Sequence, residues 1–167
     1  MGKIYLSDES YSKLATMLKE QICTASGRKV LEYGSGTCSL AELLRPDLEY
    51  LACTDKDPAA LNALLPDPGT TETVLIPDEE LGEDCYFGRF HMVYVLFSLH
   101  DMPHLVDELM RLRRLIIKGG KLVIIDFCEN DFDAECSKQL KRCGFPDQET
   151  DHFEIDGKAA FLTAAEK

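Results

Sequence analysis

Positive charge is scarce in this chain. Its 167 residues carry 18 Lys and Arg against 30 Asp and Glu, a net charge of -12. That balance disfavours binding to a phosphate backbone, which needs a basic face to release counterions. No apolar run is long enough to span a bilayer, and the first twenty or so residues lack the basic start and apolar core of a secretory leader. A cytoplasmic protein is expected, with neither nucleic-acid nor membrane partners. Cys-x-x-Cys pairs and paired Cys/His knuckles are also missing. The seven cysteines are odd in number and read as reduced thiols, not a disulfide framework or zinc site. Cys136 and Cys143 share a helical stripe with Leu140, which marks them as core, since free cysteine packs as a small hydrophobe. Repeats, linkers and low-complexity stretches are lacking too. A chain of this length buries roughly two thirds of its unfolded surface, so residues 1–167 are expected to form a single domain.

What is present is an alternation of helix and strand. Ser7 or Asp8 can cap a first helix that puts Tyr11, Leu14, Ala15, Leu18 and Ile22 on one face and ends near Gly27. Strands are expected at 29–33, 73–76 and 90–96, with another ending at Asp55. The first is followed by a helix over 38–44. The one ending at Asp55 leads into a helix capped by Asp57, with Pro58 in its first position, that runs to about Leu65 before the Pro66-Asp67-Pro68-Gly69 turn. Asp78, Glu79 and Glu80 start a short helical turn. Asp101 and Pro103 open a helix carrying Leu105, Leu109, Leu112 and Ile116, closing at Lys118-Gly119-Gly120. A strand over 121–127 and a helix ending at Cys143-Gly144-Phe145 follow. Strands at 152–155 and 158–162 flank Asp156-Gly157, a hairpin signal. Such alternation argues for a parallel sheet covered on both faces, to which the hairpin adds one antiparallel strand.

The chemistry concentrates at Val30-Leu31-Glu32-Tyr33-Gly34-Ser35-Gly36-Thr37-Cys38. A short apolar strand ends in an acid, and a glycine turn then opens into a helix. Gly34 and Gly36 let the backbone turn sharply and approach a ligand closely, while amides at the helix start face it. A dinucleotide fingerprint would want a further glycine at Ser39 and a strand apolar up to the turn, so an NAD-dependent oxidoreductase is disfavoured. About 20 residues on, the usual spacing for an acid that reads ribose hydroxyls, Asp55 ends the next strand.

Glu-x-Gly-x-Gly resembles the first motif of class I S-adenosylmethionine-dependent methyltransferases, whose third glycine would fall at Cys38. The run from Leu112 through Lys118-Gly119-Gly120 to Phe127 is similar to that family's helix, Gly-Gly turn and fifth strand. Phe97-Ser98-Leu99-His100-Asp101-Met102 resembles the segment after strand four in the branch containing ubiquinone and menaquinone biosynthesis methyltransferases. The resemblance covers most of the chain after residue 28. It implies an α/β, Rossmann-like three-layer sandwich around a seven-stranded, mostly parallel sheet with the last strand antiparallel. S-adenosylmethionine would lie across the carboxyl ends of strands one to four.

Carried over residue by residue, the resemblance places Glu32, Gly34 and Gly36 around the methionine portion of the cofactor, with Asp55 on the ribose; Ser35 and Lys56 beside them are further cofactor-binding candidates. Asp78 is the nearest acid for the adenine amino group, one position after the family's, which falls at Pro77. Many relatives have Asp after the opening Phe of strand four; here Phe90 is followed by His91, read as structural. His100 is the candidate general base, because it follows strand four at the cofactor end of the sheet. Tyr11 is a candidate to close the site from the first helix, which would cover it within residues 1–27. His104 and His152 have no metal-ligand spacing, and no metal is expected. Cys38 is read as a small replacement for glycine.

The Asn/Asp-Pro-Pro-Tyr segment of relatives acting on planar amide or exocyclic nitrogens is missing, and Leu96-Phe97-Ser98 stands in its place. A small-molecule acceptor is therefore expected, neutral or cationic to suit the chain's negative charge. A protein or peptide acceptor and a non-catalytic, cofactor- or partner-binding member of the fold are the alternatives. Oligomeric state has no signature in the sequence.

Overall fold

Strands that are apolar along nearly their whole length, such as Phe90 to Leu96, belong in the middle of a sheet covered on both sides. The computed structural model, which describes residues 6–22, 28–36, 39–57 and 72–167, places them there. In chain order the elements are α1 (Asp8–Gln21), β1 (Lys29–Tyr33), α2 (Ser39–Leu44), β2 (Tyr50–Asp55), β3 (Glu72–Pro77), β4 (Phe90–Leu96), α3 (Leu105–Leu115), β5 (Ile116–Phe127), α4 (Phe132–Arg142), β6 (Asp147–Ile155) and β7 (Lys158–Glu166). Cys38 and the helix expected after Asp57 lie outside the described residues.

The sheet has seven strands in the order β3-β2-β1-β4-β5-β7-β6. β1 to β5 run parallel, and β7 is antiparallel to both β5 and β6. This is the expected α/β, three-layer, mostly parallel architecture. β1 sits between β2 and β4, so the chain leaves β1 toward one side of the sheet and later returns on the other. A crevice opens outside the carboxyl ends of two strands where the order reverses in this way.

Two apolar clusters cover the faces. One joins Leu14 and Leu18 of α1 and Leu40 and Leu44 of α2 to Val30, Leu51, Tyr94 and Ile125. The other joins Leu109, Leu112 and Leu115 of α3 and Cys136, Leu140 and Cys143 of α4 to Leu31, Val93, Val95 and Ile124. The cysteine stripe is core as expected. Burial pushes the Cys136 thiol up to about 12, which keeps it protonated and inert.

Ser7 caps α1, its Oγ accepting from Ser10 N at 3.2 Å. The same end of the helix is moored to the β6–β7 turn: Asp156 Oδ2 accepts from Ser7 N at 3.0 Å, and Oδ1 accepts from Ser7 Oγ at 2.8 Å and Ser10 Oγ at 2.7 Å. Asp156 (φ 47°) and Gly157 (φ 75°) both take the left-handed conformation that a two-residue hairpin turn of this type requires.

Three boundaries differ from the sequence pattern. α3 starts at Leu105, not at Asp101. It stops at Leu115, after which Ile116 is already extended and paired with Phe90. The β4–β5 register then shifts, resuming at Met92 with Lys121, and the intervening residues form an irregularity around Gly119 and Gly120. Gly119 has φ 77°, and a Cβ on Gly120 would lie 2.7 Å from Ile116 Cγ2 and 2.8 Å from His91 O. The pair is glycine because one residue turns where a side chain strains and the other passes where one does not fit. Finally, β6 and β7 extend well beyond the apolar core of the hairpin. The early half of β6 is an edge rich in acids, which the apolar pattern misses and which discourages pairing with another chain.

Candidate active site at the carboxyl edge of the sheet

At the end of β1 the chain turns through Gly34 (φ 72°) and Gly36 (φ 53°), left-handed positions that glycine occupies without strain. The end of β2 holds this loop in place. Thr54 O accepts from Gly34 N and Ser35 N, each at 2.9 Å, and from Ser35 Oγ at 3.2 Å. Asp55 Oδ2 accepts from Gly36 N at 2.8 Å, and Oδ1 accepts from Asp57 N at 2.8 Å. A carboxylate offers about four lone-pair sites, so Asp55 keeps acceptor capacity for a pair of vicinal hydroxyls. Lys56 is exposed beside it. Glu32 is 2% exposed, and Cys53 Sγ donates to its Oε2 at 3.8 Å.

From the other side of the crevice, Ser98 follows β4. Its Oγ is buried and has no hydrogen-bond partner among the described residues. It lies 3.5 Å from the position a Cβ on Gly34 would take. A polar atom buried without a partner costs about 1–3 kcal/mol, so its presence beside an open glycine turn suits a ligand that satisfies it. Phe97, just before it, has φ 46°, a conformation uncommon for an aromatic residue, and its ring stacks on Phe127 at 4.5 Å. These features fit a group with a ribose and an amino-acid portion: a left-handed glycine loop with no side chains of its own to cover its backbone at Gly34 and Gly36, a carboxylate with spare acceptors and an unpaired hydroxyl.

His100 is the expected base, and the structure supplies a partner that sequence reasoning missed. Asp126, near the end of β5, is fully buried. Its Oδ1 lies 2.6 Å from His100 Nδ1 and accepts from Phe127 N at 2.9 Å, while Oδ2 accepts from His100 N at 3.2 Å. Burial pushes the Asp126 carboxyl up, against the Phe127 amide and His100, which pull it down. When ionised it only accepts, which puts the Nδ1 proton toward Asp126 and leaves Nε2 as the imidazole's free base. Nε2 is 3.5 Å from Asp101 Oδ1. The rings of Phe127 and Phe132 flank the imidazole at 6.5 and 6.3 Å. An acid closing an otherwise apolar strand, Leu122 to Phe127, was the available signal.

Beside His100 opens a cleft of about 370 Å³, lined by Leu99, Met102, Leu105, Val106, Phe132 and Gln139, with the acidic Asp107 and Glu135 also in its lining. Among the described residues, neither Lys nor Arg lines it.

The other candidates fall as follows. Asp78 lies at the rim, just after Pro77, which pairs with Asp55. Its carboxylate is turned to Arg111, both oxygens 3.2 Å from the guanidinium, which also donates to the Asp78 carbonyl. Arg111 donates to Tyr33 Oη at 3.1 Å, and Tyr33 donates to Glu108 Oε2 at 2.9 Å. Burial and the Glu108 carboxylate raise the Tyr33 hydroxyl far above the usual tyrosine range, keeping it a donor. Asp78 thus latches β3 to α3 through Arg111. Tyr11 is half-buried on α1 and packs against the core on that face. His91 Nδ1 accepts from Lys29 N at 3.3 Å, at the opposite end of the strands, in keeping with a structural role. His104 precedes α3 and is exposed. His152 pairs with Asp133 at 2.8 Å. Among the described residues, no helix is long and apolar enough to cross a membrane.

No family model and no curated protein matches the sequence. Solved structures do. An S-adenosylmethionine-dependent methyltransferase from Aquifex aeolicus is 15% identical with a TM-score of 0.72, the match covering 98% of this chain and 100% of that one. Another from Mesorhizobium loti is 11% identical with a TM-score of 0.73, over 95% and 98% of the two chains. The [4+2]-cyclase SpnF is 12% identical with a TM-score of 0.74, over 92% and 80%. At such identities likeness extends to architecture alone: this chain has the Rossmann-like α/β fold found in S-adenosylmethionine-dependent methyltransferases.

Proposed function

We propose that the protein is a class I S-adenosylmethionine-dependent methyltransferase acting on a small, neutral or cationic acceptor. The observation that carries this reading is the convergence, on one edge of the sheet, of the Asp55-held glycine loop, the unpaired Ser98 hydroxyl and the His100–Asp126 pair beside a cleft. The bound cofactor would supply a sulfonium methyl group as electrophile, leaving the protein mainly to position the reactants. Glu32 and the Gly34–Gly36 loop would hold the amino-acid portion, and Asp55 the ribose hydroxyls. Leu99, Met102 and Phe132 would seat the apolar part of the acceptor against His100. Where the acceptor loses a proton, His100 Nε2 takes it, and Asp126 fixes the ring and stabilises the imidazolium. The resemblance of Phe97–Met102 to the ubiquinone and menaquinone branch supports a small acceptor, as do the acidic residues in the cleft lining and the missing Asn/Asp-Pro-Pro-Tyr segment. The [4+2]-cyclase SpnF has the same architecture, which keeps a member of the fold that does not transfer methyl groups as the second reading.

The test is methyl transfer from labelled S-adenosylmethionine to a panel of small amines, thiols and phenols, run beside a lysate. Label in a small acceptor, lost with His100→Ala, supports the reading. Label in protein redirects it to a protein methyltransferase, and binding without transfer to the non-catalytic alternative.

A further inference from the structure

Away from the glycine loop, three side chains of metal-binding type meet that the sequence keeps apart. Cys128 follows β5, Asp133 sits in the first turn of α4 and His152 lies in edge strand β6. One ligand atom from each, a sulfur, a carboxylate oxygen and an imidazole nitrogen, lies within 4.8 Å of the other two. We propose that Cys128, Asp133 and His152 form a binding site for a borderline divalent transition-metal ion, with zinc as the best fit and solvent in the fourth position.

The donor set selects the ion. Calcium and magnesium take oxygen ligands, whereas a thiolate with an imidazole and one carboxylate suits zinc or its neighbours. Zinc bonds of about 2.0–2.3 Å put the tetrahedral nitrogen and oxygen roughly 3.3 Å apart and each roughly 3.5 Å from the sulfur, so the sulfur's separations need to close by about 1.3 Å at most and the imidazole–carboxylate pair to open by about 0.5 Å. His152 can make that movement, because its side chain is 57% exposed on the sheet edge. Cys128 is fixed more firmly, its backbone N donating to Ala159 O at 3.1 Å. Coordination puts Cys128 in the thiolate form, its proton passing to solvent. His152 Nε2 lies 2.8 Å from Asp133 Oδ2, so two of the three ligands are already gathered.

The placement gives the site a structural consequence. Cys128 directly follows Phe127, and Asp133 directly follows Phe132, the two rings that flank His100. A metal joining residues 128 and 133 would pin the segment between β5 and α4 to β6 and hold both aromatic walls in place. This holds whatever reaction the site performs.

The experiment is titration of the full chain with zinc by calorimetry, and with cobalt by absorption, comparing the protein with Cys128→Ser, Asp133→Asn and His152→Ala. The expected result is one equivalent bound, a thiolate-to-cobalt charge-transfer band that Cys128→Ser removes, affinity at least about tenfold weaker in each variant and a melting temperature raised by zinc only in the parent chain. His152→Ala, on an exposed position, guards against misfolding of the cysteine variant. Absence of stoichiometric binding overturns the proposal. So does a cobalt spectrum unchanged by Cys128→Ser, which would place the ion on surface carboxylates or on another thiol such as the exposed Cys85.

Discussion

Asp55 has two duties that mutation can separate. Its carboxylate holds the glycine loop through Gly36 N and its own strand end through Asp57 N, each at 2.8 Å, and it keeps about two lone-pair sites for ribose hydroxyls. Asp55→Ala removes both internal bonds. Hydrogen bonds to a charged partner contribute about 1.5–3 kcal/mol each when buried. Asp55 is only half-buried, so a total of about 1–3 kcal/mol is expected, or roughly 2–12 °C in melting temperature for a chain of this size. The contacts to ligand add a separate loss of about 1–3 kcal/mol in S-adenosylhomocysteine affinity, a factor of roughly 5–150. The assay is a calorimetric cycle: parent and Asp55→Ala, each titrated with S-adenosylhomocysteine and with its 2′-deoxy and 3′-deoxy forms. If Asp55 reads the ribose, each missing hydroxyl weakens binding to the parent chain and has little further effect on the variant. Equal deoxy penalties in both proteins, with only the melting temperature lowered, would show that Asp55 is a loop latch and refute its placement at the ribose.

Further expectations follow from other contacts. His100→Ala should leave S-adenosylmethionine affinity intact and reduce turnover about 10²- to 10⁴-fold for an acceptor that loses a proton. Asp126→Asn should act through the same group, so the double variant should be no slower than His100→Ala alone; additive losses in kcat would separate them. Gly120→Ala should lower stability more than Gly119→Ala, because a Cβ at Gly120 meets backbone and a packed side chain, while at Gly119 it meets only the left-handed strain of about 1–2 kcal/mol. Thermal melts of the two variants check the order. The hydroxyl of Ser10, then the backbone and hydroxyl of Ser7, hold the Asp156 carboxyl below the ordinary aspartate value of 3.8. Its mooring of α1 is therefore fully present above that value and is lost as pH falls through the lower folded one. Protection of the amides in the first turn of α1, taken relative to their intrinsic exchange rates, should fall in that acid window, and the fall should be absent in Asp156→Ala.

What the sequence discloses is local. The glycine turn and Asp55 are legible because strand, turn and helix follow one another along the chain, and β1, β2 and β4 are legible because strands buried on both faces are apolar along most of their length. Where two periods meet, the pattern fails. Leu105, Leu109, Leu112 and Ile116 repeat at helical spacing, yet the helix ends at Leu115, because Ile116 is paired with Phe90 in the sheet. The first half of β6 is polar because it is an edge, paired on one side only. Contacts between distant positions are hidden as well. His100 and Asp126 end adjacent strands and meet only through the β4–β5 register. Asp78 carries the right charge at nearly the right place, but Arg111, from a helix far along the chain, claims its carboxylate. Cys128, Asp133 and His152 come from three elements, and no spacing rule could have joined them.

The central claim is that the crevice beside β1 and β4 is built for S-adenosylmethionine. Calorimetric titration of the purified protein with S-adenosylmethionine, S-adenosylhomocysteine and NAD tests it most directly. The account predicts micromolar binding of the first two with NAD silent; binding of NAD, or of none of the three, would contradict it.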